Sequence, residues 1–198
     1  MVGIEKLPRA PQENQHPRLT RRATLGGALA GLATAAGLGA VSSVAAADEV
    51  DGIAGGGVVT SGAGDTQFSL AVVHVPRDGQ DPLLTGAFVL NDPNAPDGAV
   101  LLHSVSLVEF TAYSTERPHA RQIVGWATIN SAGSYPFLLR VEDTTAPGAG
   151  EDTFNLVLGQ AALPFLADAG HVCDCGQYSY SLRGPLTSGD LTTIADLA

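Results

Sequence analysis

The sequence predicts an all-β fold, an antiparallel β-barrel or sandwich of about seven to nine strands. Three observations lead there. Almost every apolar segment after Gly57 alternates with period two or forms a short β-branched run, the spacing that puts one face of a strand in a core and the other in water. Gly, Pro, Asn and Asp close most of these segments, as turns require. Sustained helical periodicity is nearly absent, and no stretch repeats another, which disfavours a propeller or solenoid.

The first clear strand runs from Phe68 to Val75, with Phe68, Leu70 and Val72 on one side, and Pro76 and Asp78-Gly79 end it. Gly86 to Leu90 follows, stopped by the loop Asn91 to Gly98 with its two prolines. Val100 to Phe110 is long enough for one bent strand or two short ones. Gln122 to Ile129 and Tyr135 to Val141 flank Asn130 to Ser134, which reads as a hairpin connection. Trp126 shares a side with Val124 and Thr128, opposite Ile123 and Ile129, so either face could be core and the indole either packs or serves as a ligand platform. Thr153 to Leu158, Gln177 to Leu182 and the weaker Leu191 to Ile194 complete the series. The single helix candidate is Leu163 to Ala169, where Pro164 suits only a first turn.

Residues 1–47 carry a different pattern. Thr20-Arg21-Arg22 stands before a Gly- and Ala-rich apolar stretch that closes on Ala45-Ala46-Ala47. This resembles a twin-arginine export signal behind a flexible N-terminal extension, with cleavage expected between Ala47 and Asp48. Thr24 stands where such leaders prefer Phe, which keeps the general secretory route open, and an uncleaved N-terminal anchor is the competing reading. Residues 48–198 then form one soluble domain, secreted or held at the cell surface, long enough to bury roughly 68 to 70% of its unfolded surface.

The whole chain has a formal charge of −10, and from Asp48 onward five arginines and no lysine face eighteen carboxylates. Such a surface repels phosphate backbones and anionic membranes, so no nucleic-acid partner and no membrane association after leader removal are expected. Cationic partners are easier to accept, and excess acid also keeps an exported protein soluble.

Gly55-Gly-Gly57, Phe68, Leu102-His-Ser104, the hairpin Gly125 to Leu139, Glu142-Asp143 and Gly150-Glu-Asp-Thr-Phe154 occur in an order that resembles a post-COAP-type module, a small all-β unit of bacterial secreted and surface proteins. The resemblance covers roughly Gly55 to Thr193 and implies a compact barrel or sandwich with an accessory, non-catalytic role. Two departures stand out. Ser131-Ala132 replaces a glycine at the turn, and Cys173-Asp174-Cys175 replaces an aromatic-Asp-Asn turn.

Candidate chemistry is sparse. His171, Cys173 and Cys175 alternate and would share one face of a strand, as zinc or copper ligands could, with His74, His103 or His119 to add a fourth. A Cys173–Cys175 disulfide, which needs a turn between Gly170 and Gly176, and unrelated thiols are the alternatives. Glu142, Asp143, Glu151 and Asp152 crowd one glycine-rich loop; Asp143, Glu151 and Asp152 are candidate calcium ligands, although no EF-hand spacing is present. The other role for Asp152 is to accept backbone N–H bonds at a bend. Calcium is the only cofactor the acidic loop suggests. No catalytic residue is predicted: His103 and Ser104 are adjacent and face opposite ways, Gly-x-Ser-x-Gly is absent, and nothing signals paired carboxylates.

The resulting expectation is an exported, monomeric or weakly associating, non-enzymatic β-domain. It would act as an extracellular or cell-surface interaction or structural module toward a protein or polysaccharide. A β-barrel small-molecule carrier or isomerase-like protein, with a sizeable apolar interior in place of a filled core, is the first alternative. A divalent-metal-binding protein is the second.

Overall fold

In a computed structural model, residues 50–144, 151–166 and 173–194 are described. They form eight strands: β1 (Asp51–Ser61), β2 (Gly64–Val75), β3 (Leu83–Asp92), β4 (Val100–Ser114), β5 (Arg117–Ile129), β6 (Ala132–Glu142), β7 (Thr153–Gly159) and β8 (Ser179–Thr193). A 3-10 helix, Gln160–Phe165, follows β7. All pairings are antiparallel, each strand lies beside its neighbour in sequence, and β8 returns to β1, so of the two predicted architectures the chain adopts a closed barrel.

Eight strands enclose an interior just wide enough for side chains to fill. Phe68, Phe88, Phe137 and Phe154, all buried, occupy its middle, with ring centroids 4.5 Å apart for Phe68–Phe154, 6.2 Å for Phe88–Phe154 and 5.6 Å for Phe88–Phe137. The wall makes room for them by cross-strand complementarity. Phe68 sits opposite Gly57, Phe137 opposite Gly125 and Phe154 opposite Gly184, so three of the four large rings face a residue with no side chain. Ile53, Leu70, Leu90, Leu102, Ile123, Leu139, Leu156 and Leu158 fill the remainder. Full burial of each stabilises the fold by about 1.5 to 3 kcal/mol before entropy is counted.

The strands differ in detail from those the periodicity predicts. β1 is a full strand upstream of the first one expected, despite Gly55-Gly-Gly57. At Gly55 an added Cβ would strike the backbone of Asp190 and at Gly57 that of Ser188, so the bare backbone lets β8 close the ring. The final two predicted strands are one. β8 pairs with β7 from Ser179 to Pro185 and with β1 from Leu186 to Thr193, and Pro185, which has no N–H, stands where it changes partner. The β5–β6 hairpin is tighter than expected. Ile129 pairs with Ala132 across Asn130 and Ser131, both at positive φ (51° and 64°), as a two-residue turn of the right-handed strand twist requires.

Val100 to Phe110 belongs to one bent strand extended to Ser114. It skips register at Val105, Val108 and Tyr113, and all three bulged residues are exposed. β3 and β4 pair over only Val89–Asp92 and Val100–His103, and where they part the Ser104 hydroxyl accepts the Phe88 N–H at 2.8 Å.

Trp126 resolves the choice of faces in an unforeseen way, because both faces of β5 are covered. Ile123, Ala127 and the glycine at 125 line the lumen, while Val124 and Trp126 point outward with Leu138 and are capped by Ala162, Leu163 and Leu166 of the helix segment and by Cys173. The expected helix is thus a 3-10 turn packed on the outer wall; the predicted end, residues 167–169, lies outside the described residues.

Candidate functional site

Arg21, Arg22, Ala47 and Asp48 lie outside the described residues, as does His171. Cys173 and Cys175 are joined as a disulfide in a turn that brings their Cα atoms to 5.2 Å. The Asp174 N–H donates to the Ser134 carbonyl at 3.0 Å, which fastens this turn to the start of β6 beside the cap on Trp126. His74 and His119 stand at the opposite end of the barrel and His103 on the outer wall, so none joins the cysteines. Among the described residues no group of three or more His, Cys, Asp or Glu side chains is placed to hold a metal ion.

The acidic loop has a definite structural task. Once β8 leaves β7 at Pro185, its next N–H groups on that edge have no strand to donate to. Asp152 and Asp143 stand in for one. Leu186 N–H donates to the Asp152 carbonyl (2.8 Å), Leu191 N–H to Asp152 Oδ2 (2.8 Å) and Thr193 N–H to Asp143 Oδ2 (2.9 Å). Asp152 is buried, and its Oδ1 also accepts the Thr144 N–H at 3.1 Å. Charged acceptors of this kind make the stronger backbone hydrogen bonds. Glu151 is exposed and takes no part.

Polar networks close both ends of the lumen. At one end the nearly buried Arg121 bonds Asp51 at 2.8 Å and donates to the carbonyls of Pro118 and Ala120. At the other, the Tyr180 hydroxyl donates to Asp92 Oδ2 at 2.8 Å, and Asn94 N–H donates to Asp92 Oδ1 at 3.0 Å. The Thr66 hydroxyl is buried in the same end, beside Tyr180. Tyr178 packs edge-on against Tyr135, and an open recess of about 270 Å³ lies between Tyr178, Tyr180 and the loop Ala95 to Val100.

Burial, then the bond to Asp92, raises the Tyr180 hydroxyl well above its ordinary pKa; burial, then Asp97, raises that of Tyr178. A folded-state pKa above the unfolded value of 10.0 means that this stabilisation is complete below pH 10 and is lost as pH rises beyond it. The melting temperature should therefore fall steeply above pH 10, and Tyr180→Phe should flatten that fall; an unchanged slope in the variant would show that Tyr180 is not its source.

A second recess of about 270 Å³ lies on the outer wall. Register builds it. Gln122, Arg140, Asn155 and Arg183 are successive cross-strand partners on β5, β6, β7 and β8 and form one outward row. The tip of the β4–β5 hairpin leans over it with Tyr113 and Arg117. The Arg140 guanidinium lies 4.5 Å above the Tyr113 ring and 5.8 Å from that of Phe165, within cation–π range, while its Nε donates to Gln122 Oε1 at 2.9 Å. Arg117 pairs with Glu142 at 2.8 Å. Arg183 is exposed and forms no ion pair among the described residues.

The sequence reading missed this row because its arginines are scattered over residues 117 to 183. The available signal was scarcity: three of the five arginines that remain after residue 47 meet here. No family model, no curated protein and no solved structure matches the chain.

Proposed function

We propose that the chain is an exported, non-enzymatic β-barrel that binds its partner at the outer wall, outside the cell or on its surface. The packed lumen carries this reading: four buried phenylalanines meet at its middle, which favours surface binding over a carrier or isomerase, whose ligand needs a sizeable apolar interior. The outward row of Arg, Asn and Gln beside exposed aromatic rings supplies contact groups that a wall serving packing alone does not need. Export rests on the arginine pair, the weakly apolar stretch and the small residues ending at Ala47.

The test uses protein collected outside the producing cells, with an N terminus expected at Asp48, titrated with the neutral apolar fluorophore N-phenyl-1-naphthylamine. No saturable uptake is expected. One-to-one uptake would assign an internal ligand and overturn surface binding, and protein retained inside the cells with Met1 intact would overturn export.

A further inference from the structure

We infer that the outer groove binds a carboxylate-bearing, hydroxyl-rich chain, an acidic polysaccharide built of uronic acid units; this rests on the surface-binding reading above. The first support is charge placement. The described residues as a whole are strongly acidic, yet Arg117, Arg140 and Arg183 line one recess in which, among the described residues, Glu142 is the only carboxylate. Glu142 is already paired with Arg117, which leaves Arg140 and Arg183 as the cations open to an incoming anion. Concentrating positive charge there opposes the chain's own repulsion and confines anion binding to one place.

The second support is geometry. Arg140 and Arg183 are separated by one strand, so their Cα atoms stand about 10 Å apart at the usual strand spacing, with Asn155 midway. A guanidinium is planar and offers paired N–H groups that match a carboxylate's two oxygens. The amide between them both donates and accepts, as a hydroxyl does. Acid, hydroxyl and acid along one extended ligand would therefore meet Arg140, Asn155 and Arg183 in turn.

The third support is the aromatic edge. Tyr113 and Phe165 are each 43% exposed beside Arg140. Rings left in water at a polar groove suit the apolar C–H face of a sugar ring. The Tyr113 ring also holds the Arg140 guanidinium in position, so less side-chain freedom is lost on binding.

The experiment is calorimetric titration of the full chain with oligogalacturonate, and with its fully methyl-esterified form, which keeps the sugar and loses the charge. Any leader arginines are common to every variant and cancel in the comparison. Saturable binding is expected for the acid and not for the ester, weakening with salt. Arg183→Gln and Arg140→Gln should each weaken it roughly tenfold or more, as loss of a charge-assisted contact does. Arg183→Lys should recover only part, and Arg77→Gln, on an exposed loop, should change nothing.

Equal affinity for acid and ester, or full affinity in both Gln variants, would overturn the assignment while leaving surface binding intact. Equal affinity for poly-glutamate would overturn the sugar in favour of an acidic protein. Uptake of the neutral fluorophore, by contrast, would remove the underlying reading itself.

Discussion

Gly125→Ala should destabilise the barrel by about 3 kcal/mol, the upper range for overpacking a well-filled core. Gly125 sits on β5 directly opposite Phe137 of β6. A Cβ there would strike the Ser106 carbonyl and stand 2.9 Å from two ring carbons of Phe137. Neither can retreat: the carbonyl belongs to the β4–β5 ladder, and the ring is wedged against Phe88. Thermal melts should show the loss, and adding Phe137→Leu should restore part of it, because the ring contact goes while the carbonyl contact stays. Such non-additivity is the signature of two groups in direct contact. A Gly125→Ala protein that melts with the parent would mean that the lumen is loosely packed, and with it the case against an internal ligand would fail.

Asp152→Ala should cost about 3 to 5 kcal/mol, because hydrogen bonds to charged groups contribute about 1.5 to 3 kcal/mol each and this carboxylate accepts two. The Leu191 N–H would be left buried without an acceptor, and the loop carrying Thr144 would lose its tie to β8. Asp152→Asn should be milder, since one amide oxygen can still accept. The loss should be the same with chelator or with added calcium. A melting temperature of the parent chain that rises with calcium and falls with chelator, in a manner abolished by Asp152→Ala, would assign the carboxylate to a metal instead.

The strands most legible in the sequence were those that report burial through alternation, such as Phe68-x-Leu70-x-Val72 and the hairpin around Asn130. β1 was illegible for a physical reason. Glycine is depleted from strands because it loses the most entropy there, and here Gly55 and Gly57 are selected by how closely β8 approaches, a contact more than a hundred residues away, and Gly56 by the backbone of β2 at Phe68. The second half of β8 was obscured likewise, since Gly184, Pro185 and Ser188 read as a turn until β1 supplies the partner.

Site residues followed the same division. The crowding of acids from Glu142 to Asp152 was visible, but the role of Asp143 and Asp152 depends on where β8 leaves β7. Trp126 was visible as an aromatic on a strand, and what covers it was not, since the cap comes from Ala162, Leu163, Leu166 and Cys173. The arginine row was invisible as a motif because cross-strand neighbours share no fixed sequence spacing. Only the register of β5 through β8 aligns Gln122, Arg140, Asn155 and Arg183.

The connectivity of the ring carries a kinetic consequence. Seven of its eight seams join strands consecutive along the chain, so each can zip locally as soon as its two strands are available, at small loop-closure cost. The eighth, Ile53–Val59 against Leu186–Thr193, unites the first and last strands and so carries the largest loop-closure cost. A chain in which this one seam opens is a curled sheet with two bare edges, the state from which two copies could exchange strands or aggregate. Gly55 and Gly57, which let β8 come close, therefore guard the seam whose opening exposes most.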